Sequence, residues 1–155
     1  MNTTPAVISA FVISSTRMKV LFICTGNSAR SQIAEALLRH LGQDQFEAFS
    51  AGTAPGTDVN PYALEVLREK GIDTRGLYPK RLDLFRDKWF DLVVTVCDHA
   101  RQTCPFFPNA RKIAHWSLPD PAAFEGSQFE ILEKFRETRD NIERRIIQEI
   151  LPLRH

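Results

Sequence analysis

The chain has 155 residues, 43% of them hydrophobic and 25% charged, with a formal net charge of +1. That length is most simply one domain with a sizeable core. The near-neutral charge excludes a general nucleic-acid binder, which needs a basic patch; the densest basic stretch, Arg136 to Arg145, is interleaved with Glu137, Asp140 and Glu143 and reads as a solvated helix face. No apolar run approaches the length that crosses a bilayer. Three cysteines, Cys24, Cys97 and Cys104, are too few and odd in number for a secreted disulfide framework. They suit a reducing, cytoplasmic setting in which cysteine is kept for chemistry.

Residues 1–17 carry a short apolar run, Ala6 to Ile13, with no basic residue before it and no small-residue cleavage site. They read as an N-terminal extension rather than a signal peptide, followed by one domain over 18–151. Lys19 to Ile23 forms an apolar, β-prone run that ends at Cys24. A loop of small residues follows, and then Ile33, Leu37 and Leu41, flanked by Ala34 and Leu38, recur at helical spacing. Gly42 stops that helix. Phe46 to Ser50 is a second strand, and Pro61 to Lys70 a second helix with Pro61 in its first turn.

Within Leu77 to Phe90, the residues Leu82, Leu84 and Phe85 suggest a short helix. Asp91 to Val96 is a continuous apolar run of the kind that fits a parallel strand buried on both faces. Residues 98–103 read as a helical turn or two before Cys104-Pro105, and Lys112 to Trp116 as the fourth strand. The final helix, Ser127 to Ile150, buries Leu132, Phe135, Ile142, Ile146 and Ile150. His40 reads as surface, and Trp89 and Trp116 as packing residues. The order predicts an α/β fold: a single domain with a four-stranded, mostly parallel sheet flanked by helices. Ligands in such sheets sit beyond the carboxyl ends of the strands. Cys24, Cys97 and Asp120 all follow strands, so topology predicts that they meet at one rim.

The strand–loop–helix around Cys24 carries the chemistry. A loop of small residues before a helix turns successive backbone N–H groups inward at the positive end of the helix, which makes an anion site. Gly26 and Asn27 are the residues best able to take a positive φ there. The same surroundings stabilise a thiolate at Cys24. Arg30 adds a planar fork for two oxygens of a tetrahedral oxyanion. The oxyanion-binding set is Thr25, Gly26, Asn27, Ser28, Ala29, Arg30 and Ser31. No Gly-Lys-Ser/Thr follows, so this is not a nucleotide P-loop.

The run Cys24-x5-Arg30-Ser31, the Ser50-Ala51-Gly52 turn, Gly71-Ile72 and Asp120-Pro121 together resemble the low-molecular-weight protein tyrosine phosphatase family. Cys97 and Cys104 lie in Val-Cys-Asp-His-Ala-Arg-Gln-Thr-Cys-Pro, followed by His115-Trp116 and Pro119-Asp120-Pro121. That stretch resembles the thioredoxin-coupled arsenate reductases of the same fold, and the resemblance covers Met18 to Leu151. It implies that Cys24 attacks arsenate, that Ser31 supports the thiolate, and that Asp120 protonates the leaving hydroxyl. It further implies that Cys97 and then Cys104 complete a thiol relay. Arsenate or phosphate would be the oxyanion and thioredoxin the electron donor. The reaction would need no cofactor and no metal, and the chain would act as a monomer.

The alternative is a phosphatase of the family that hydrolyses phosphate monoesters through a cysteinyl-phosphate, with Cys97 and Cys104 as incidental core cysteines. Ala122 and Ala123 are too small to grip an aromatic ring, and the only tyrosines are Tyr62 and Tyr78, so the paired regulatory tyrosines of the eukaryotic enzymes are absent. Both points lean toward a small inorganic substrate. A zinc site from Cys97, His99, Cys104 and His115 matches no common spacing. Glu35, Ser50 and Asn27 fall where relatives of the resemblance have potassium ligands, and Lys80 where they carry a lysine or an acid. Ordinary surface and polar roles for these four stand open beside that one.

Overall fold

The computed structural model describes residues 16–103 and 107–154. Of the N-terminal extension only Thr16 and Arg17 fall within it, and Cys104 lies outside it. The sheet has four strands in the order β2-β1-β3-β4: β1 (Met18–Cys24), β2 (Phe46–Gly52), β3 (Leu92–Thr95) and β4 (Ile113–His115). Among the described residues all pairings are parallel. The central strands are the most apolar. Val20 to Cys24 of β1 are buried, as is every residue of β3. This is the signature of parallel strands covered on both faces.

Four helices accompany the strands: α1 (Arg30–Gly42), α2 (Pro61–Glu69), α3 (Asp98–Thr103) and α4 (Gln128–Arg145). Helix α1 packs on β1 and β2 and against α2 and α4. Asn60 caps α2 by accepting from Tyr62 N, with Pro61 at the first helical position. Ser127 and Glu130 form a reciprocal capping box that starts α4. That helix continues into one π turn, Ile146–Ile150, which keeps Ile146 and Ile150 in the core. Phe22 packs on Trp116 with ring centroids 5.9 Å apart, and Phe49, Phe85, Phe90 and Phe107 form an edge-to-face cluster. Each fully buried ring contributes about 2–3 kcal/mol of burial energy.

The short helix expected from Leu82, Leu84 and Phe85 is present. Leu84 is 59% exposed because the short turn Leu82–Phe85 is a 3-10 helix, whose buried positions are Leu82 and Phe85. Its i, i+3 repeat leaves no second buried row. Trp89 is 54% exposed, while Trp116 is buried. His40 is exposed, as expected. Among the described residues no helix is long and apolar enough to cross a membrane.

Candidate active site

The loop between β1 and α1 takes its shape from its carbonyls. The carbonyl oxygens of Cys24, Thr25, Gly26 and Ser28 accept from the N–H groups of Thr53, Ala54, Gly56 and Asn60 at 2.8–3.1 Å. The Asn27 carbonyl accepts from Gln32 Nε2, and that of Ala29 from Ile33 N. A planar trans peptide points its N–H opposite to its C=O. Engaging the carbonyls on the outside therefore turns N–H groups to the inside. One of them, Asn27 N–H, reaches Cys24 Sγ at 3.1 Å. Gly52 makes the close approach possible, because a Cβ there would meet Thr25 O at 2.6 Å. The positive φ of the loop falls on Asn27 alone, at 49°. Gly26, expected to share it, does not, because one left-handed residue completes the turn.

Asn27 is fully buried and organises the site. Its two amide hydrogens go to Ser31 Oγ at 2.7 Å and Ser50 Oγ at 3.0 Å. Its Oδ1 accepts from Lys80 N and Gln32 Nε2. Ser50 donates to Glu35 Oε1 at 2.6 Å. Ser31 Oγ, already accepting from Asn27, lies 2.8 Å from Cys24 Sγ and has its own hydrogen to give. A chain of hydrogen bonds therefore runs from Glu35 to the thiol.

Burial pushes the Cys24 thiol up, and the hydrogen bonds from Ser31 and Asn27 and the charge of Arg30 only partly oppose it. Desolvation thus works against the thiolate, and the loop's hydrogen bonds and Arg30 work for it. Ser31→Ala removes the largest opposing contribution. Since that hydrogen bond favours the charged form, its loss should move the Cys24 titration further upward. The pH profile of iodoacetamide alkylation, in a chain with Cys97 and Cys104 replaced by serine, measures this. The thiolate share at neutral pH falls further, so alkylation there slows. Superimposable profiles would remove Ser31 from the account.

Glu35, Ser50 and Asn27 do come together, with Lys80 among them. Lys80 Nζ lies 3.5 Å from Glu35 Oε1 and donates to Tyr78 O at 2.7 Å, and Arg39 pairs with the same carboxylate. Burial pulls the Lys80 ammonium down, against the pull of Glu35. Two cations already share Glu35, and Asn27 Oδ1 is spent on two donors, so these residues do not fit a further cation.

Arg30 begins α1 with its side chain 14% exposed. Its Nη1 donates to Leu118 O at 2.8 Å, and Nη2 lies 3.8 Å from Asp120 Oδ2. Asp120 Oδ1 accepts from Ala122 N, which fixes the carboxyl at the start of a 3-10 turn, Pro121–Ala123. Cys97, just past β3, is 4% exposed. Its Sγ lies 3.4 Å from Thr25 Oγ1 and 3.3 Å from Ala100 N. Cys24 and Cys97 are both free thiols. Cys24, Arg30, Cys97 and Asp120 thus share one rim. Sequence reasoning missed Gln32, Thr25 as the link to Cys97, and the pairing of His115 with Asp98. Partners on different elements leave no local pattern to find. His115 spends both ring nitrogens on Thr95 and Asp98, which removes it from the zinc grouping.

Comparison with known proteins agrees with this geometry. The family of low molecular weight phosphotyrosine protein phosphatases matches residues 19–153. An arsenate reductase of Halalkalibacterium halodurans is 39% identical over 127 residues, covering 82% of this chain and 91% of the relative. The structure of an arsenate reductase in the phosphate binding state superposes with a TM-score of 0.75 at 29% identity, over 88% of this chain and 99% of that one. A thioredoxin-dependent arsenate reductase of Corynebacterium glutamicum superposes with a TM-score of 0.66 at 29% identity, over 99% and 77%. With its nucleophile loop, its parallel sheet and these relatives, the chain belongs to the low molecular weight phosphotyrosine protein phosphatase family, alongside its arsenate reductases.

Proposed function

We propose that the chain is an enzyme that reduces arsenate to arsenite with Cys24, Cys97 and Cys104, taking two electrons from thioredoxin. One observation carries the reading: Cys97 Sγ stands 3.4 Å from Thr25 Oγ1, so a second thiol abuts the first residue of the oxyanion loop. Hydrolysis has no use for that thiol. The identity with arsenate reductases over most of the chain supports the same substrate.

The cradle of Thr25 to Ser31 and the fork of Arg30 hold arsenate, and the Cys24 thiolate attacks arsenic. Asp120, protonated, gives its proton to the hydroxyl that leaves as water. The Cys97 thiolate then attacks Cys24 Sγ. A disulfide forms, the sulfur–arsenic bond breaks, and its electron pair passes to arsenic, which leaves as arsenite. The Cys104 thiolate attacks Cys97 Sγ and releases the Cys24 thiolate. Thioredoxin's dithiol reduces the Cys97–Cys104 disulfide and is itself oxidised. All these groups belong to one chain, so we place the reaction in a monomer, within a domain spanning 18–151 and with no chemistry in residues 1–17. A reducing cytoplasm supplies the donor.

The test is arsenate-dependent NADPH oxidation with thioredoxin and its reductase. Turnover is expected. No turnover beside brisk hydrolysis of p-nitrophenyl phosphate would make this a phosphatase instead.

A further inference from the structure

His115 ends β4, with its side chain 16% exposed. Its ring bridges two residues of the neighbouring chain segment. Nδ1 lies 2.7 Å from Thr95 Oγ1, and Nε2 lies 2.8 Å from Asp98 Oδ1. Thr95 ends β3 and Asp98 begins α3, so these two residues bracket Cys97. Asp98 is held again by Ser117, whose hydroxyl donates to its carboxylate oxygens at 3.1 and 3.3 Å. The bond to His115 first, and those from Ser117 after it, hold the Asp98 carboxyl below its ordinary range, so it stands as an acceptor.

The relay makes opposite demands on the two sides of Asp98. Cys97 must keep a fixed approach to Cys24. Yet the relay must bring Cys104 up to Cys97, and the six residues of α3, while helical, span about 9 Å, more than a disulfide bridges. Helix α3 must therefore open. Opening it takes away Ala100 N–H, one of the two contacts on the Cys97 sulfur. What then holds the chain just beyond Cys97 is Asp98, tied by the imidazole and by Ser117, while on the other side Val96 N–H stays on Ile23 O.

We propose that His115 is a positioning residue for the second step. It clamps the chain on either side of Cys97, so that this thiol is aimed at Cys24 for its attack. The clamp rests on the relay proposed above. Its chemistry is the step already balanced: the Cys97–Cys24 disulfide forms as the sulfur–arsenic bond gives its electron pair to arsenic.

The experiment uses the full chain carrying Cys104→Ser, which stops at the Cys24–Cys97 disulfide. His115→Ala and His115→Gln are added singly. Three rates are read: single-turnover release of arsenite, diamide-driven formation of the Cys24–Cys97 disulfide, and hydrolysis of p-nitrophenyl phosphate. The last needs Cys24, Arg30 and Asp120 but not Cys97. His115→Ala should slow both disulfide-forming reactions about tenfold, because misplacing a nucleophile costs rate. Hydrolysis should stay within about twofold of the parent. His115→Gln, which returns an N–H toward Asp98, should recover part of the loss. Equal losses in all three rates, or none, would overturn the clamp. A parent chain that releases no arsenite, with the diamide reaction still slowed in His115→Ala, would overturn the arsenate reading and leave the clamp standing.

Discussion

Cys97→Ser and Cys104→Ser are each expected to abolish thioredoxin-coupled arsenate reduction, by a factor on the order of 10³ or more. Serine keeps the size of the side chain but cannot form a disulfide, so the two variants stop at different points. Cys97→Ser has no thiol to displace arsenic from Cys24 and should release no arsenite even once. Cys104→Ser should release one arsenite per chain and stall as the Cys24–Cys97 disulfide, which mass spectrometry after thiol alkylation will locate. Neither variant touches the groups that act on a phosphate ester, so both should hydrolyse p-nitrophenyl phosphate at the parent rate. The 3.4 Å contact of Cys97 Sγ with Thr25 is half-buried, and losing it costs about 1 kcal/mol of stability at most. The fold therefore survives, and the loss of reduction reports on chemistry. Multiple turnover by Cys104→Ser would end the three-cysteine scheme.

The strand–loop–helix that holds Cys24 was legible because it is local. Apolar period changes at Cys24, small residues fill the bend, and the helical repeat starts at once. The parallel order followed from alternation and from the fully apolar run of β3. What escaped was tertiary in origin. The Cys24 thiol is pushed up by the burial that α1 and the 53–60 segment impose, which no spacing encodes. Asn27 and Gly26 looked equivalent as turn residues, but only Asn27 has an amide to satisfy Ser31 and Ser50 from a left-handed backbone. Lys80 was open between a surface role and a cation role. Its ammonium sits against Glu35, 45 residues away in sequence, because Gly52 and Lys80 share a backbone hydrogen bond that carries the loop there. Asp98 and His115 both stand in the stretch that resembles the reductases, but they come from different elements, and no spacing shows that they pair.

Arg30→Ala should lower kcat/KM by about 10³-fold for arsenate and for p-nitrophenyl phosphate alike. Both substrates are tetrahedral oxyanions whose charge grows on the equatorial oxygens as sulfur attacks. A preorganised bidentate donor in a site shielded from water is the largest stabiliser the loop can add to its N–H groups. The guanidinium is tethered by the protein: Nη1 donates to Leu118 O, and Nη2 lies 3.8 Å from a carboxylate that is 44% exposed. That pair is worth under about 1 kcal/mol at such exposure, so its loss accounts for no more than about a fivefold effect. A larger loss therefore belongs to the oxyanion. Arg30→Lys should recover little, because a lysine offers one compact charge where the site needs two parallel N–H groups in a plane. Inorganic phosphate gives the binding readout, since its inhibition constant should rise with the loss of the fork. Arg30→Lys with near-parental activity would show that charge alone suffices and that the planar geometry of Arg30 has no part in the reaction.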